Sequence, residues 1–167
     1  MPKNKQLINV IKSSHIQAGA VATADIADNS ITNAKTDSVQ PKYLQFMYDF
    51  STQGGAASAI SLTDAAGAVQ TLPGAAVIAN VWLEGVTDNT SGGSATVALG
   101  YVGQATAFLG ATAFNHAMWN VSAVTKQTVV VATGKIGVAP VSVLATIADA
   151  ALTAGKWYIW VEYFEGA

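Results

Sequence analysis

The sequence contains no cysteine and no arginine, and charged residues make up only 11% of its 167 positions. Without cysteine the chain cannot form disulfides, hold an iron–sulfur cluster or use a thiol in catalysis. Arginine is the usual side chain for gripping phosphates and base edges, so nucleic-acid binding is not expected. An average soluble domain is about 25% charged. A surface with so few charges favours self-association, or burial by other subunits.

Long apolar runs are also missing, although 51% of the residues are hydrophobic. No stretch approaches the ~18 consecutive apolar residues of a membrane-spanning helix, so no membrane association is expected. Residues 1–12 carry a broken apolar pattern and lack the hydrophobic stretch of ~7–15 residues found in a secretory signal. We therefore expect a protein that is made in the cytoplasm and used without Sec export.

The composition changes near Pro41, because all fourteen aromatic residues lie at or beyond Tyr43. The first 42 residues carry five lysines and three aspartates, whereas the remainder carries three lysines and seven acids. A segment without aromatic residues buries too little surface to offset the entropy lost when it becomes ordered. We predict an extended N-terminal attachment arm over residues 1–42 and a folded domain over residues 43–167.

The arm nevertheless contains a strict five-residue repeat of branched apolar residues. Five residues advance a helix by about 500°, and an odd spacing alternates faces in a strand, so neither element gathers the repeat on one side. Coiled β-solenoids use such a period, but five units need stacked neighbours to bury a core. We predict that the repeat becomes ordered on other copies or on a partner's surface; the alternative is a chance period in a linker. The repeat consists of Ile11, Ile16, Val21, Ile26 and Ile31.

From Tyr43 onward apolar and polar residues alternate, and glycine, proline, asparagine and aspartate separate the alternating segments. Period-two alternation is typical of strands, and no amphipathic helical pattern interrupts it. Residues 87–93 have the composition of a turn, and residues 103–125 read as a long loop. The pattern predicts an all-β fold, an antiparallel β-sandwich resembling a jelly roll. The clearest expected strands cover residues 44–50, 77–84, 97–101, 128–133, 141–147 and 157–164.

The last expected strand is apolar on both faces. Trp157, Ile159, Val161 and Tyr163 form one face, and the other carries three more aromatic residues. A strand with one hydrated face should carry polar residues there, and aromatic residues are enriched at interfaces. We predict an oligomer interface; the alternative is a second face covered by the loop at residues 103–125. The predicted interface residues are Trp82, Tyr158, Trp160 and Phe164.

A catalytic or metal-binding constellation is not recognisable. His15 and His116 have no serine and acid arranged as a triad, and no Gly-x-Ser-x-Gly motif is present. Glu84 and Glu162 each follow a tryptophan by two positions, as paired carboxylates beside aromatic rings do in glycosidases, but surface polar groups are the preferred interpretation. Residues 88–93 lack the acidic pattern of a calcium loop. We predict no enzymatic activity, no cofactor and no metal.

The segment from Val21 to Lys35, VATADIADNSITNAK, resembles a segment that recurs in accessory virion proteins of tailed bacteriophages. In capsid decoration, head-fibre and tail-fibre proteins, runs of the form ADI-x-D-x-x-I-T-x-A-K join an attachment end to a β-rich outer domain. The resemblance implies a structural protein of the virion. It does not distinguish the head from the tail.

Three functions follow from these patterns. The first is a capsid decoration (cement) or head-fibre protein that forms a homo-oligomer, expected to be a trimer, and contacts the major capsid protein or other virion proteins. The second is a tail-associated receptor-binding protein that recognises a host surface glycan. A cell-wall hydrolase is a third possibility that lacks any supporting catalytic residues.

Overall fold

The computed structural model describes residues 40–127 and 135–165. The five-residue repeat of the arm, His15 and the strand expected at residues 128–133 lie outside the described residues. The first strand of the described part begins at Lys42, one residue before the start of the predicted domain.

Almost all of the regular secondary structure in the described chain is β-strand. One short α-helix follows the first strand, and a single turn of 3-10 helix precedes the seventh. The elements are β1 Lys42–Asp49, α1 Phe50–Gln53, β2 Ala59–Ser61, β3 Thr71–Leu72, β4 Val77–Ser91, β5 Thr96–Tyr101, β6 Gln104–Ala113, the 3-10 helix Ala117–Trp119, β7 Val124–Gln127, β8 Val141–Ala148 and β9 Leu152–Phe164.

These strands form two antiparallel sheets. The first sheet has the order β1-β9-β4-β7 and the second the order β2-β8-β5-β6, with β3 also paired to β8. β2 and β3 pair with different parts of β8, so together they serve as one edge strand. Counted in that way, the order is that of an eight-stranded jelly roll. The predicted fold class is confirmed.

The core lies between the sheets, where alternate residues of each strand point inward. Val97 and Leu99 of β5 are fully buried on the inner face of the second sheet. Three aromatic rings fill the core beside β9: Trp157 stacks on Tyr48 at 4.8 Å and lies 5.5 Å from Trp119. Aromatic rings carry a large buried area, so this cluster is a major source of stability.

The prediction of a turn at residues 87–93 is wrong, because β4 continues to Ser91. Thr90 pairs with Ala154 of β9, and the hydroxyls of Thr90 and Thr153 lie 2.7 Å apart. Asn89, a residue typical of turns, instead points inward and is buried. Pairing with the long β9 overrides the local preference of these residues for a turn.

The prediction of a long loop at residues 103–125 is also wrong. This segment contains β6, the 3-10 helix and the first residues of β7. Ala107 and Phe108 of β6 are buried against the core, and Trp119 of the 3-10 helix is fully buried. Alanine, threonine and glycine dominate β6 and give a weak strand signal, so the pairing with β5 decides its conformation.

The connections between strands gather at two ends of the sandwich. The arm end, where the chain enters β1 after Pro41, holds residues 73–76, 102–103 and 135–140. The far end holds residues 50–58, 92–95, 114–123 and 149–151. β9 runs from the far end to the arm end, where Phe164 pairs with Val77 at the start of β4.

Candidate subunit interface

The four residues predicted to form an interface lie on the outer face of the first sheet. Trp82 is on β4, and the other three are on β9, where they alternate with the buried residues of the core. Trp82 and Trp160 are direct cross-strand partners, and Tyr158 pairs with Glu84. We call this surface the aromatic face. It comprises Tyr43, Trp82, Tyr158, Trp160 and Phe164.

Tyr43 was missed by the sequence reasoning. It lies on β1 opposite Glu162, with 56% of its surface exposed. The alternation of β1 indicates only that Tyr43 points outward, since Phe46 and Tyr48 are fully buried and residues at odd positions point the other way. Tyr43 Oη donates a 3.0 Å hydrogen bond to Glu162, and this bond raises the pKa of the phenol.

The carboxylates beside the aromatic face accept hydrogen bonds from aromatic and amide side chains, and a lysine lies over one of its rings. Trp160 Nε1 donates a 3.0 Å hydrogen bond to Glu84 Oε2. The Glu162 carboxylate accepts hydrogen bonds from Tyr43 and from the Asn80 amide. Lys126 Nζ lies 5.8 Å from the centre of the Trp82 ring, a distance that permits a cation–π contact. These bonds restrict the side chains before any partner binds.

The register of β4 and β9 shows whether Glu84 and Glu162 lie close enough together to act as a pair of catalytic carboxylates. Glu84 pairs with Tyr158, whereas Glu162 lies four residues further along β9. Four strand residues span about 13 Å, while glycosidase carboxyl groups lie roughly 5–9 Å apart. Each carboxylate is also engaged by neighbouring donors. The geometry therefore favours two surface carboxylates that orient aromatic rings.

The segment that was expected to cover the second face of β9 packs elsewhere. Trp119 inserts into the core against Trp157, and residues 122–123 extend the edge of the sheet beyond β7. Gly85 of β4 donates to the Ala123 carbonyl, and Ser122 donates to that of Gly85. The Asn120 carbonyl packs so closely on Gly85 that a side chain would not fit there. Trp160 remains 37% exposed.

A cavity of about 480 Å³ opens beside the aromatic face at Tyr158. Lys156 Nζ lies 2.8 Å from Asp49 Oδ2, and the bonds from Lys156 and Ser51 lower the pKa of Asp49 to about 2. Gln53 is also engaged, accepting from the Asp49 backbone amide and donating to the Ser61 carbonyl. With these groups bonded to one another, few donors remain for a ligand. The lining residues are Met47, Asp49, Thr52, Gln53, Thr63, Ala65, Ala66, Gly67, Lys156 and Tyr158.

His116, the one histidine among the described residues, has a local structural role. His116 Nδ1 accepts a 3.2 Å hydrogen bond from the Met118 amide and so caps the 3-10 helix. Within residues 40–127 and 135–165, no three histidine or acidic side chains gather in a group that could hold a metal ion. No helix of the described part has the length and apolarity needed to cross a membrane.

Neither a protein-family model nor a curated protein sequence matches this chain. Its fold is similar to a chain of the structure entitled "Capsid of Ralstonia phage GP4", with a TM-score of 0.54 and 18% identity over 78% of this chain and 87% of that chain. A chain of "Cyanophage Pam1 capsid asymmetric unit" gives a TM-score of 0.52 and 21% identity over 75% and 84%. A chain of "Acidic stable capsid structure of Helicobacter pylori bacteriophage KHP30" gives 0.52 and 16% over 76% and 89%. At these identities the likeness is one of fold.

Proposed function

We propose that this chain is a non-enzymatic structural protein of a bacteriophage virion, a capsid decoration (cement) or head-fibre protein that stabilises or decorates the head. The observation that carries the proposal is the jelly-roll fold shared with chains from three phage capsid structures. The segment from Val21 to Lys35 independently resembles accessory virion proteins. All three are phage capsid structures, and this supports the part of the proposal that puts the protein on the head.

The proposed role is mechanical. The arm would attach the protein to the shell, and the jelly roll would connect neighbouring copies. Many weak contacts, each repeated around the particle, add up to strong attachment because each bound copy raises the effective concentration of the next contact. The protein would thereby strengthen the shell against the pressure of the packaged DNA.

The aromatic face is the proposed contact between copies in a homo-oligomer, which we expect to be a trimer. Trp160 and Tyr43 expose apolar ring surface, and aromatic anchors dominate the energetics of interfaces. Glu84 and Glu162 already accept hydrogen bonds within the subunit, so burying them leaves fewer groups unpaired. A rigid aromatic surface also costs less side-chain entropy when it binds.

The arm is tested by replacing Ile16, Val21 and Ile26 together with serine. The jelly roll should stay folded and oligomeric, since the described strands form a continuous core of their own. Incorporation into heads that lack the native protein should fail, because three branched side chains per copy lose about 1.5–3 kcal/mol each if they are fully buried. The measurement is gel densitometry of purified particles.

A matched control carries serine at Leu7, Ile8 and Val10, which are apolar arm residues outside the repeat. We expect this control to incorporate nearly as well as the parent. Normal incorporation of the Ile16, Val21 and Ile26 variant would mean that the repeat is a linker and that attachment lies on the jelly roll. Equal loss in both variants would mean that the whole arm binds through general hydrophobicity.

The receptor-binding alternative is also favoured by one feature, because exposed tryptophan and tyrosine rings can stack on sugars. Quantitative mass spectrometry of the virion separates the two functions. A decoration protein should be present in on the order of hundreds of copies, as the symmetry of a shell requires. A few copies to a few dozen would instead place the protein on the tail and overturn the proposal.

A further inference from the structure

Exposed valines are grouped at the arm end of the jelly roll. Val138 is 96% exposed, Val102 is 55% exposed, and Val77 at the start of β4 is 37% exposed. Residues 73–76 and 136–140 contain no charged residue; the described charges at this end are Lys135, which pairs with Val77, and the ion pair between Lys42 and Glu165. Single exposed apolar residues are common, but several of them beside uncharged loops are typical of a contact surface.

The backbone holds these loops in place. Ala75 N donates a 2.7 Å hydrogen bond to the Gly137 carbonyl, although this requires Ala75 to adopt a φ of 61°. Ile136 N donates a second 2.7 Å bond to the Ala76 carbonyl, and Ile136 is itself buried. Gly74 packs so closely on the Val138 carbonyl that a β-carbon would not fit there. Val138 is therefore presented on an ordered loop, with little entropy to lose on binding.

The chain enters the jelly roll at this same end. Ile31, the last residue of the arm repeat, precedes Lys42 by eleven residues, which reach at most about 35–40 Å when fully extended. β4 alone spans about 50 Å, since it has 15 residues. A repeat that is fixed to the shell therefore keeps the arm end within about 40 Å of its anchor point, whereas the far end can lie up to about 50 Å further away.

We infer that the arm end is a second docking surface, on which Val102 and Val138 rest against the same shell surface that the arm binds. The inference rests on the proposed attachment of the arm to the capsid, and it adds a direction: the far end points outward. The far end suits that position, because Asp88 and Asp149 lie there and its loops are rich in serine, glycine and asparagine. Val77, on the first sheet, would lie at the border of this contact.

The test uses full-length protein with Val102→Asp or Val138→Asp, titrated onto heads that lack the native protein. Each change should raise the concentration needed for half-saturation by about tenfold, as expected for exposing one valine that the contact buries. Val121→Asp is the matched control, since Val121 is 57% exposed but lies at the far end. That variant should bind like the parent. Circular dichroism and sedimentation check that all three remain folded and oligomeric.

Val138→Lys separates apolar contact from charge repulsion. Both Val138 variants should bind weakly if the shell covers an apolar side chain; normal binding of the lysine variant would contradict the inference. Parental binding by the Val102 and Val138 variants, with loss only in the arm variant, would overturn the docking surface and leave the proposed function intact. Loss confined to Val121→Asp would reverse the orientation. Failure of the parent to bind heads would overturn both.

Discussion

Trp160 is the residue at which the proposed oligomer can be tested most sharply. It lies on β9, three residues after Trp157, so the two tryptophans point to opposite sides of the first sheet. Trp157 is fully buried in the core, whereas Trp160 is 37% exposed, bonds Glu84 and lies opposite Trp82 in the sheet. Replacing Trp160 should therefore weaken association while leaving the fold of the subunit largely intact.

The expected loss of association free energy follows from the surface area of Trp160 that remains exposed in the single subunit. A tryptophan side chain offers up to about 250 Å², so 37% of it is roughly 90 Å². At about 25 cal/mol per Å², burial of this area by a second copy contributes roughly 2 kcal/mol per subunit. Loss of 2 kcal/mol raises the dissociation constant of the oligomer by about 30-fold. Trp160→Ser should lose this amount, whereas Trp160→Phe keeps an apolar ring and should retain most of it.

The assay is sedimentation velocity of the full-length protein over a range of concentrations. The parent and Trp160→Phe should sediment as the oligomer, and Trp160→Ser should dissociate at concentrations where the parent stays assembled. Val102→Ser controls for loss of an exposed apolar residue elsewhere, since Val102 is 55% exposed and follows β5 of the second sheet. An unchanged oligomer for Trp160→Ser would remove Trp160 from the interface. An equal effect of Val102→Ser would point to general solubility rather than to the aromatic face.

Two further predictions concern the jelly roll itself. Gly85→Ala should lower the free energy of unfolding by about 1–3 kcal/mol in urea titrations, because the new β-carbon meets the Asn120 carbonyl. Gly110→Ala, at a strand position with open space, should be nearly neutral or slightly stabilising, and equal effects would refute the argument. Asp49→Asn keeps the cap of α1 but loses the ion pair with Lys156, so it should lower the melting temperature at pH 7. Since the pKa of Asp49 is lowered to about 2, this difference should shrink as the pH falls from about 4 to 2; a difference constant with pH would assign it to packing.

The fold was largely predictable wherever large side chains alternate. In β9, Trp157, Ile159 and Val161 identify the buried face, and the structure buries all three completely. Prediction failed where small or polar residues form strands. β6 carries mostly alanine, threonine and glycine, and the end of β4 carries residues of a turn. Their conformation comes from pairing with distant strands, which a local sequence pattern does not contain.

The candidate site was predictable to a similar extent. Alternation along one strand placed Tyr158, Trp160 and Phe164 on a common face, and the pairing of β4 with β9 brought Trp82 beside Trp160. Tyr43 joins the same face only because β1 lies next to β9, and the sequence order of the strands does not reveal that adjacency. The arm end was not predicted at all. It is assembled from three loops whose proximity depends on the jelly-roll topology.

The scarcity of charge in the sequence has a counterpart in how the described charges are used. Asp49 pairs with Lys156, Asp88 accepts from the Val121 amide, and Asp149 accepts from the Thr96 hydroxyl. Each of these contacts stays within one subunit and stabilises a strand end or a loop. Copies of such a surface have little long-range attraction or repulsion, so their association depends on burying apolar area. In the proposed function, the aromatic face would supply that area for contact between copies, and the valines of the arm end would supply it for contact with the shell.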